Sequence, residues 1–130
     1  MREWLWRLIL VGGGGACGCV ARDLVQGWCA RLTQGFPLGT LAVNAVGSTV
    51  IGVLMALFLG PLTTDVRLKV LLTVGVLGGF TTFSSFAFET VQLANDGEWT
   101  RATANILLNN ALALVGALIG FRLAGRAWGM

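Results

Sequence analysis

"GVLGGFTTFSSFAFE", Gly75 to Glu89, lies in an apolar run long enough to cross a membrane, yet it crowds together features such a run does not need. It carries a glycine pair, four hydroxyls and a phenylalanine at every third position from Phe80 to Phe86. On a continuous helix Phe80, Phe83 and Phe86 share one side, and Gly78, Thr81, Thr82, Ser84 and Ser85 cover the other. Hydroxyls in apolar helices commonly return to a preceding carbonyl, and phenylalanines commonly face lipid. Those habits account for single residues but not for the cluster. Gly78 and Gly79 weaken a helix here, and non-helical backbone at membrane depth persists only where protein or a cavity satisfies it. Such a break frees carbonyl oxygens for cations and N–H groups for anions. A phenyl ring presented edge-on adds a weakly positive rim. The stretch therefore predicts a span broken in mid-membrane, with a polar site at the break.

The rest of the chain supports a membrane setting. Of 130 residues, 55% are hydrophobic and only 12% charged, about half the charge of an ordinary soluble domain. This length supports one compact unit, residues 1–130. Histidine is absent, so the commonest general base and metal ligand is missing. The net charge of +3 contains no basic run of the kind that binds nucleic acid, and the positive residues sit at the ends of apolar segments. Cys17, Cys19 and Cys29 have neither metal-site spacing nor an even count, and read as small hydrophobes in helices. The glycines of "GGGGACG" lack the Gly-Lys-Ser/Thr of a phosphate loop. Gly14 and Gly18 instead form a small-xxx-small pair, which predicts close helix contact.

Four all-α spans are expected, over about 4–28, 37–59, 70–94 and 102–121, each near the roughly 20 residues a bilayer requires. The first resembles a signal peptide in its basic start and apolar middle, but three further apolar runs follow, so it is read as a retained span. Short connections, "TQGFP", "GPLTTDVR" and "NDGEWT", place both termini on one side. Arg2, Arg7, Arg67, Lys69, Arg122 and Arg126 flank that side, and Arg22, Arg31 and Arg101 the other. This bias leans towards cytoplasmic termini. Four short helices enclose little space, so a homo-oligomer is expected.

Polar residues within spans are costly and tend to mark function. Thr40, Asn44, Gly47 and Ser48 share one face of the second helix. On the fourth, Asn105 and Asn109 lie four apart with Asn110 beside them. Interhelical hydrogen bonding explains any one of these. Recurring opposite the hydroxyl-rich third span, they suggest a polar pathway. Asn amides, hydroxyls and ring edges together suit a small, strongly hydrated anion without a buried lysine. Arg22, near a helix end, either raises the local anion concentration or pairs with Asp23.

These residues resemble the Fluc-type fluoride channels, also called CrcB proteins. "GCVAR", ending at Arg22, is similar to the family's first-helix element. "PLGTLAVNAVGS", centred on Asn44, is similar to its second-helix signature, and Gly75 to Glu89 to its third. The resemblance implies a dual-topology, antiparallel homodimer with two fluoride pores, embedded in the lipid of the bacterial cytoplasmic (inner) membrane. It implies that Phe83, Phe86 and Asn44 line the pore, with Thr82, Ser84 and Ser85 along a polar track and Arg22 near an aqueous vestibule. A structural Na⁺ at the dimer centre would be held by the backbone carbonyls of Gly78 and Thr81; no organic cofactor is implied. Family members often carry an aromatic residue where Asn105 stands and a serine where Asn109 stands. Asn109 keeps a donor and is carried over as a pore residue, whereas Asn105 and Glu89 receive no role.

The function so implied is passive, fluoride-selective export that relieves toxicity, with no enzymatic step. Fluoride enters from acidic surroundings as neutral HF and dissociates in the cytoplasm, so a channel suffices. One alternative is a small proton-coupled multidrug exporter, which requires a membrane-embedded carboxylate in the first span; Glu3 is too near the end and Asp23 adjoins Arg22. Another is a non-transporting membrane assembly subunit, in which the buried Asn and hydroxyl groups serve packing alone.

Overall fold

The structure, a computed structural model, describes residues 2–33, 35–60 and 65–128, with Arg2 described by its backbone alone. Gln34 of the first expected loop, Pro61, Leu62, Thr63 and Thr64 of the second, and the Arg2 charge lie outside the described residues. Every regular element among the described residues is helical. Helix α1 is Arg2–Leu32 and α2 is Leu38–Leu59. Helix α3 runs over 66–80, α4 is Phe83–Asn95 and α5 is Trp99–Ala127. With α3 and α4 forming one broken span, four helices are long and apolar enough to cross a membrane: Glu3–Leu32, Leu38–Leu59, Val66–Asn95 and Trp99–Ala127. Three of them extend beyond the apolar cores expected from hydropathy. At 1.5 Å per residue, 30 residues reach about 45 Å, which carries the helix ends through the headgroup layer.

Contacts between loops and termini fix which ends lie together. The Arg67 guanidinium stacks 5.4 Å from the Trp6 ring centre, joining the start of α3 to the start of α1. At the opposite end Arg101 donates to the Gly35 carbonyl at 3.5 Å and pairs with Glu98 at 2.7 Å. Exposed Trp4 and Trp128 lie towards one end and exposed Trp28 and Trp99 towards the other, as two interfacial belts.

Glycine seams hold the helices together. A Cβ at Gly14 would lie 3.0 Å from the Leu71 carbonyl, and one at Gly18 would run into the Val76 carbonyl. From the other side, Cβ atoms at Gly75 and Gly79 would strike the carbonyls of Leu10 and Gly15. So α1 and α3 meet backbone to backbone through glycines four apart on both helices, the close contact expected of Gly14 and Gly18. Gly52 and Gly120 do the same between α2 and α5, and Gly116 leaves room for the Thr49 hydroxyl. Within α3, residues Val70–Val76 are wound with wide turns; Leu77 N–H bonds the Leu72 carbonyl, five residues back.

The span breaks two residues beyond the glycine pair. Gly78 and Gly79 are helical, whereas Thr81 (φ −81°, ψ 157°) and Thr82 (φ −151°, ψ 116°) are extended. The Gly pair therefore does not cause the break. Gly79 is required where it stands because the α1 backbone passes against it.

Candidate functional site

What opens the helix is a side chain from α2. In a continuing helix the Thr82 N–H would bond the Gly78 carbonyl. It instead donates to Asn44 Oδ1 at 2.8 Å, and Asn44 Nδ2 returns a bond to the Thr82 carbonyl at 3.0 Å. One amide thus supplies the acceptor that the Thr82 N–H has lost and a second donor to the Thr82 carbonyl, which at the N-cap also accepts the first bond of α4. Thr82 then starts the next helix: its Oγ1 accepts from the Ser85 N–H at 3.1 Å as the N-cap of α4. The Ser85 hydroxyl lies 3.0 Å and the Ser84 hydroxyl 3.3 Å from the same oxygen. Thr81 returns its hydroxyl to the Leu77 carbonyl at 3.0 Å. Each of the four hydroxyls has a local structural partner, and together they shape the turn.

A cavity of about 420 Å³ opens beside the break. Asn44, Thr82, Phe83, Phe86 and Asn109 line it, along with Gly78, Thr81 and Ser48. The structure therefore gathers most of the residues singled out in the sequence, from three spans. No charged side chain is among the described residues lining it. Phe83 and Phe86 meet edge to face, centroids 5.2 Å apart at 62°. Phe86 is buried at 6% exposure, whereas Phe83 is 75% exposed on a single chain. Ser84 is exposed and outside this cavity. Ser85 lines a second cavity of about 450 Å³ with Gln26, Thr40 and Glu89.

Both expected pore amides have partners. Asn44 Nδ2 donates to the Thr82 carbonyl and to Asn109 Oδ1, each at 3.0 Å. Asn109 Nδ2 donates to Asn105 Oδ1 at 2.8 Å and to the Asn105 carbonyl at 3.2 Å. With two N–H groups each, neither amide holds a spare donor. An anion gains one by displacing a neutral oxygen.

Arg22 is half-buried and turns towards the break. Its Nη1 donates to the Thr81 carbonyl at 3.3 Å and its Nη2 to Cys19 Sγ at 3.5 Å. Glu98–Arg101 is the ion pair found among the described residues, so Arg22 does not pair with Asp23 there. No cluster of three His, Cys, Asp or Glu occurs among the described residues; the oxygens near the break are backbone carbonyls, hydroxyls and Asn amides. Gly78, exposed on a single chain, has lost its helical donor to Asn44. Neutral carbonyls of this kind fit a hard monovalent cation. One chain supplies two, Gly78 and Thr81, and the second also accepts from Arg22.

Two features lay outside the sequence-derived site. Thr40 accepts from Gln26 Nε2 at 2.9 Å and donates to Glu89 Oε1 at 2.7 Å, while the buried Glu89 Oε2 has no partner. Asn105, given no role from sequence, is fully buried and donates to Thr90 Oγ1 at 2.9 Å. The four-residue spacing of Asn105 and Asn109 was the available signal; the partner on α4 was not visible.

Comparison with known proteins was made against this geometry. A family model described as "CrcB-like protein, Camphor Resistance (CrcB)" matches residues 9–121. The chain is 45% identical over 120 residues to the "Fluoride-specific ion channel FluC" of Syntrophotalea carbinolica, covering 90% of this chain and 96% of that one. It is 47% identical over 111 residues to the protein of that name from Geobacter sulfurreducens, covering 85% and 90%. For the like-named protein of Sulfurovum sp. the figures are 42% over 123 residues, 94% and 96%.

Proposed function

Because the chain belongs to the CrcB-like family, we propose that it is a passive, fluoride-selective channel of the membrane it spans. Its role is transport, not catalysis: it lets cytoplasmic fluoride escape and so relieves toxicity. The observation that carries this reading is the uncharged cavity at the Thr81–Thr82 break, where Asn44 and Asn109 amides meet the Phe83–Phe86 pair.

Fluoride is small and strongly hydrated, so shedding water requires close donors. Asn44, Asn109 and Thr82 supply them, and the ring edges of Phe83 and Phe86 complete the shell. A buried lysine would hold the ion too tightly, whereas conduction needs sites weak enough to leave. Ser84 and Ser85 extend the polar track along the start of α4. Arg22 draws anions towards the vestibule beside the break.

The working unit is an antiparallel, dual-topology homodimer. A second copy would cover Phe83 and Gly78, both exposed on a single chain. It would also double the Gly78 and Thr81 carbonyls into a four-oxygen set for a structural Na⁺. That ion would fix the two chains together at the break.

Purified protein in liposomes tests the function directly. Fluoride efflux is expected, with chloride nearly excluded and no dependence on a proton gradient, which separates a channel from a proton-coupled exporter. An intact dimer that passes no fluoride would leave only an assembly role. Labelling both termini from each side of the membrane tests the topology, and finding one orientation alone would remove the antiparallel dimer.

A further inference from the structure

Three asparagines, on two helices, form a chain of hydrogen bonds that runs in one direction. Asparagine oxygen and nitrogen are nearly the same size, so the orientation of each amide is set by what its neighbours require. Here both ends are backbone groups of fixed polarity. At one end the Thr82 N–H can only donate, and Asn44 Oδ1 receives it at 2.8 Å. At the other the Phe86 carbonyl can only accept, and the Thr90 hydroxyl donates to it at 2.7 Å. Thr90 Oγ1 therefore offers lone pairs, which Asn105 Nδ2 meets at 2.9 Å. Asn105 Oδ1 is left to accept from Asn109 Nδ2 at 2.8 Å. Asn109 Oδ1 in turn accepts from Asn44 Nδ2 at 3.0 Å. Both ends demand the same direction, and turning any one amide would set donor against donor and acceptor against acceptor.

Asn105 is the member without contact with the ion path. It is fully buried, and the cavity reaches Asn44 and Asn109 but not Asn105. Without the Asn105 side chain, Asn109 keeps only the longer, 3.2 Å bond to the Asn105 backbone carbonyl, and a turned Asn109 would present its amino group to the Asn44 amino group. We propose that Asn105 is a positioning residue of the channel: by fixing the Asn109 amide it holds the Asn44 amide in one orientation, from which fluoride gains an Asn44 N–H by displacing the Asn109 oxygen. This rests on the channel reading given above.

Fluoride efflux from liposomes tests it in wild type, Asn105→Leu and Asn105→Asp, from mildly acidic to mildly alkaline pH. Leu keeps the volume but neither bond, and efflux should fall at least about tenfold at every pH. A protonated Asp offers an O–H to Thr90 and an oxygen to Asn109, the same polarity as Asn. An ionised Asp can only accept. The Asp variant should therefore approach wild-type efflux as pH falls and lose it as pH rises, while wild type stays flat. A Leu variant at the wild-type rate, or an Asp variant flat with pH, overturns the assignment. Should the variants fail to assemble, side-chain amide resonances of isotope-labelled wild type decide. Added fluoride should shift Asn44 and Asn109 and spare Asn105; an equal shift on Asn105 overturns the assignment. Wild-type liposomes that pass no fluoride would remove the channel reading and this inference together. Normal wild-type efflux with unaffected variants removes only the role of Asn105.

Discussion

The two halves of the third span meet their neighbours by opposite means. Upstream of the break, α3 lies against α1 through Gly75 and Gly79, with backbone touching backbone and no side chain between. Downstream, α4 is tied to α2 and α5 by side-chain hydrogen bonds from Asn44, Thr40 and Asn105. In the first region an added methyl group does the damage; in the second, a removed amide does. The contrast shows why glycine and asparagine both recur in a chain this apolar. Glycine lets helices approach where lipid provides little drive for association, and asparagine satisfies backbone that has left the helix.

Substitutions can break this contrast, and Gly79→Val should have the largest effect. Its side chain would enter the Gly15 backbone, and a loss beyond about 3 kcal/mol is expected in thermal unfolding of the solubilised protein. A stable, well-assembled variant would show that the seam can open. Asn44→Ala comes next, because it orphans the Thr82 N–H at membrane depth. It should cost on the order of 1–3 kcal/mol and depress fluoride efflux with it, both measurable on one preparation.

The phenylalanines sharpen the comparison by separating stability from flux. Phe86→Ile alters a buried ring and should cost about 1 kcal/mol. Phe83→Ile, at an exposed ring, should stay within about 0.5 kcal/mol. Both should lose most of their fluoride efflux if ring edges meet the ion, and wild-type rates in both would return the rings to packing. The smallest effect belongs to Gly12→Ala, because nothing lies within 4 Å of the position its Cβ would take. It should leave unfolding and efflux unchanged, whereas a Cβ at Gly14 in the same glycine run would meet Leu71 and Gly75.

Much of this was legible in the sequence, for reasons that differ by feature. The spans were, because crossing a bilayer imposes a length and an apolar composition on each. The Gly14–Gly18 seam was as well, but its counterpart at Gly116 and Gly120 has the same spacing and was not read. The glycine pair marks the neighbourhood of the break but is not its cause. Glycine serves as a helix breaker and as a close-packing residue, and only the passing α1 backbone distinguishes the two. Asn44 stands 38 residues from Thr82 along the chain, so no local pattern could show that its amide replaces a helical turn. Separations of 49 and 15 residues likewise hid Thr40 from Glu89 and Asn105 from Thr90.

The wide turn at Val70–Val76 gives the chain an uneven tolerance for lost residues. Such a turn amounts to an α-helix carrying extra length, with the segments on either side still in phase. Deleting one residue from it, such as the exposed Val74, would let the helix rewind to ordinary pitch and keep Gly79 and Asn44's target at Thr82 facing as they do. Deleting one residue from α2 has no such slack. It would swing everything beyond by about 100° and turn Asn44 or Gly52 away from its partner.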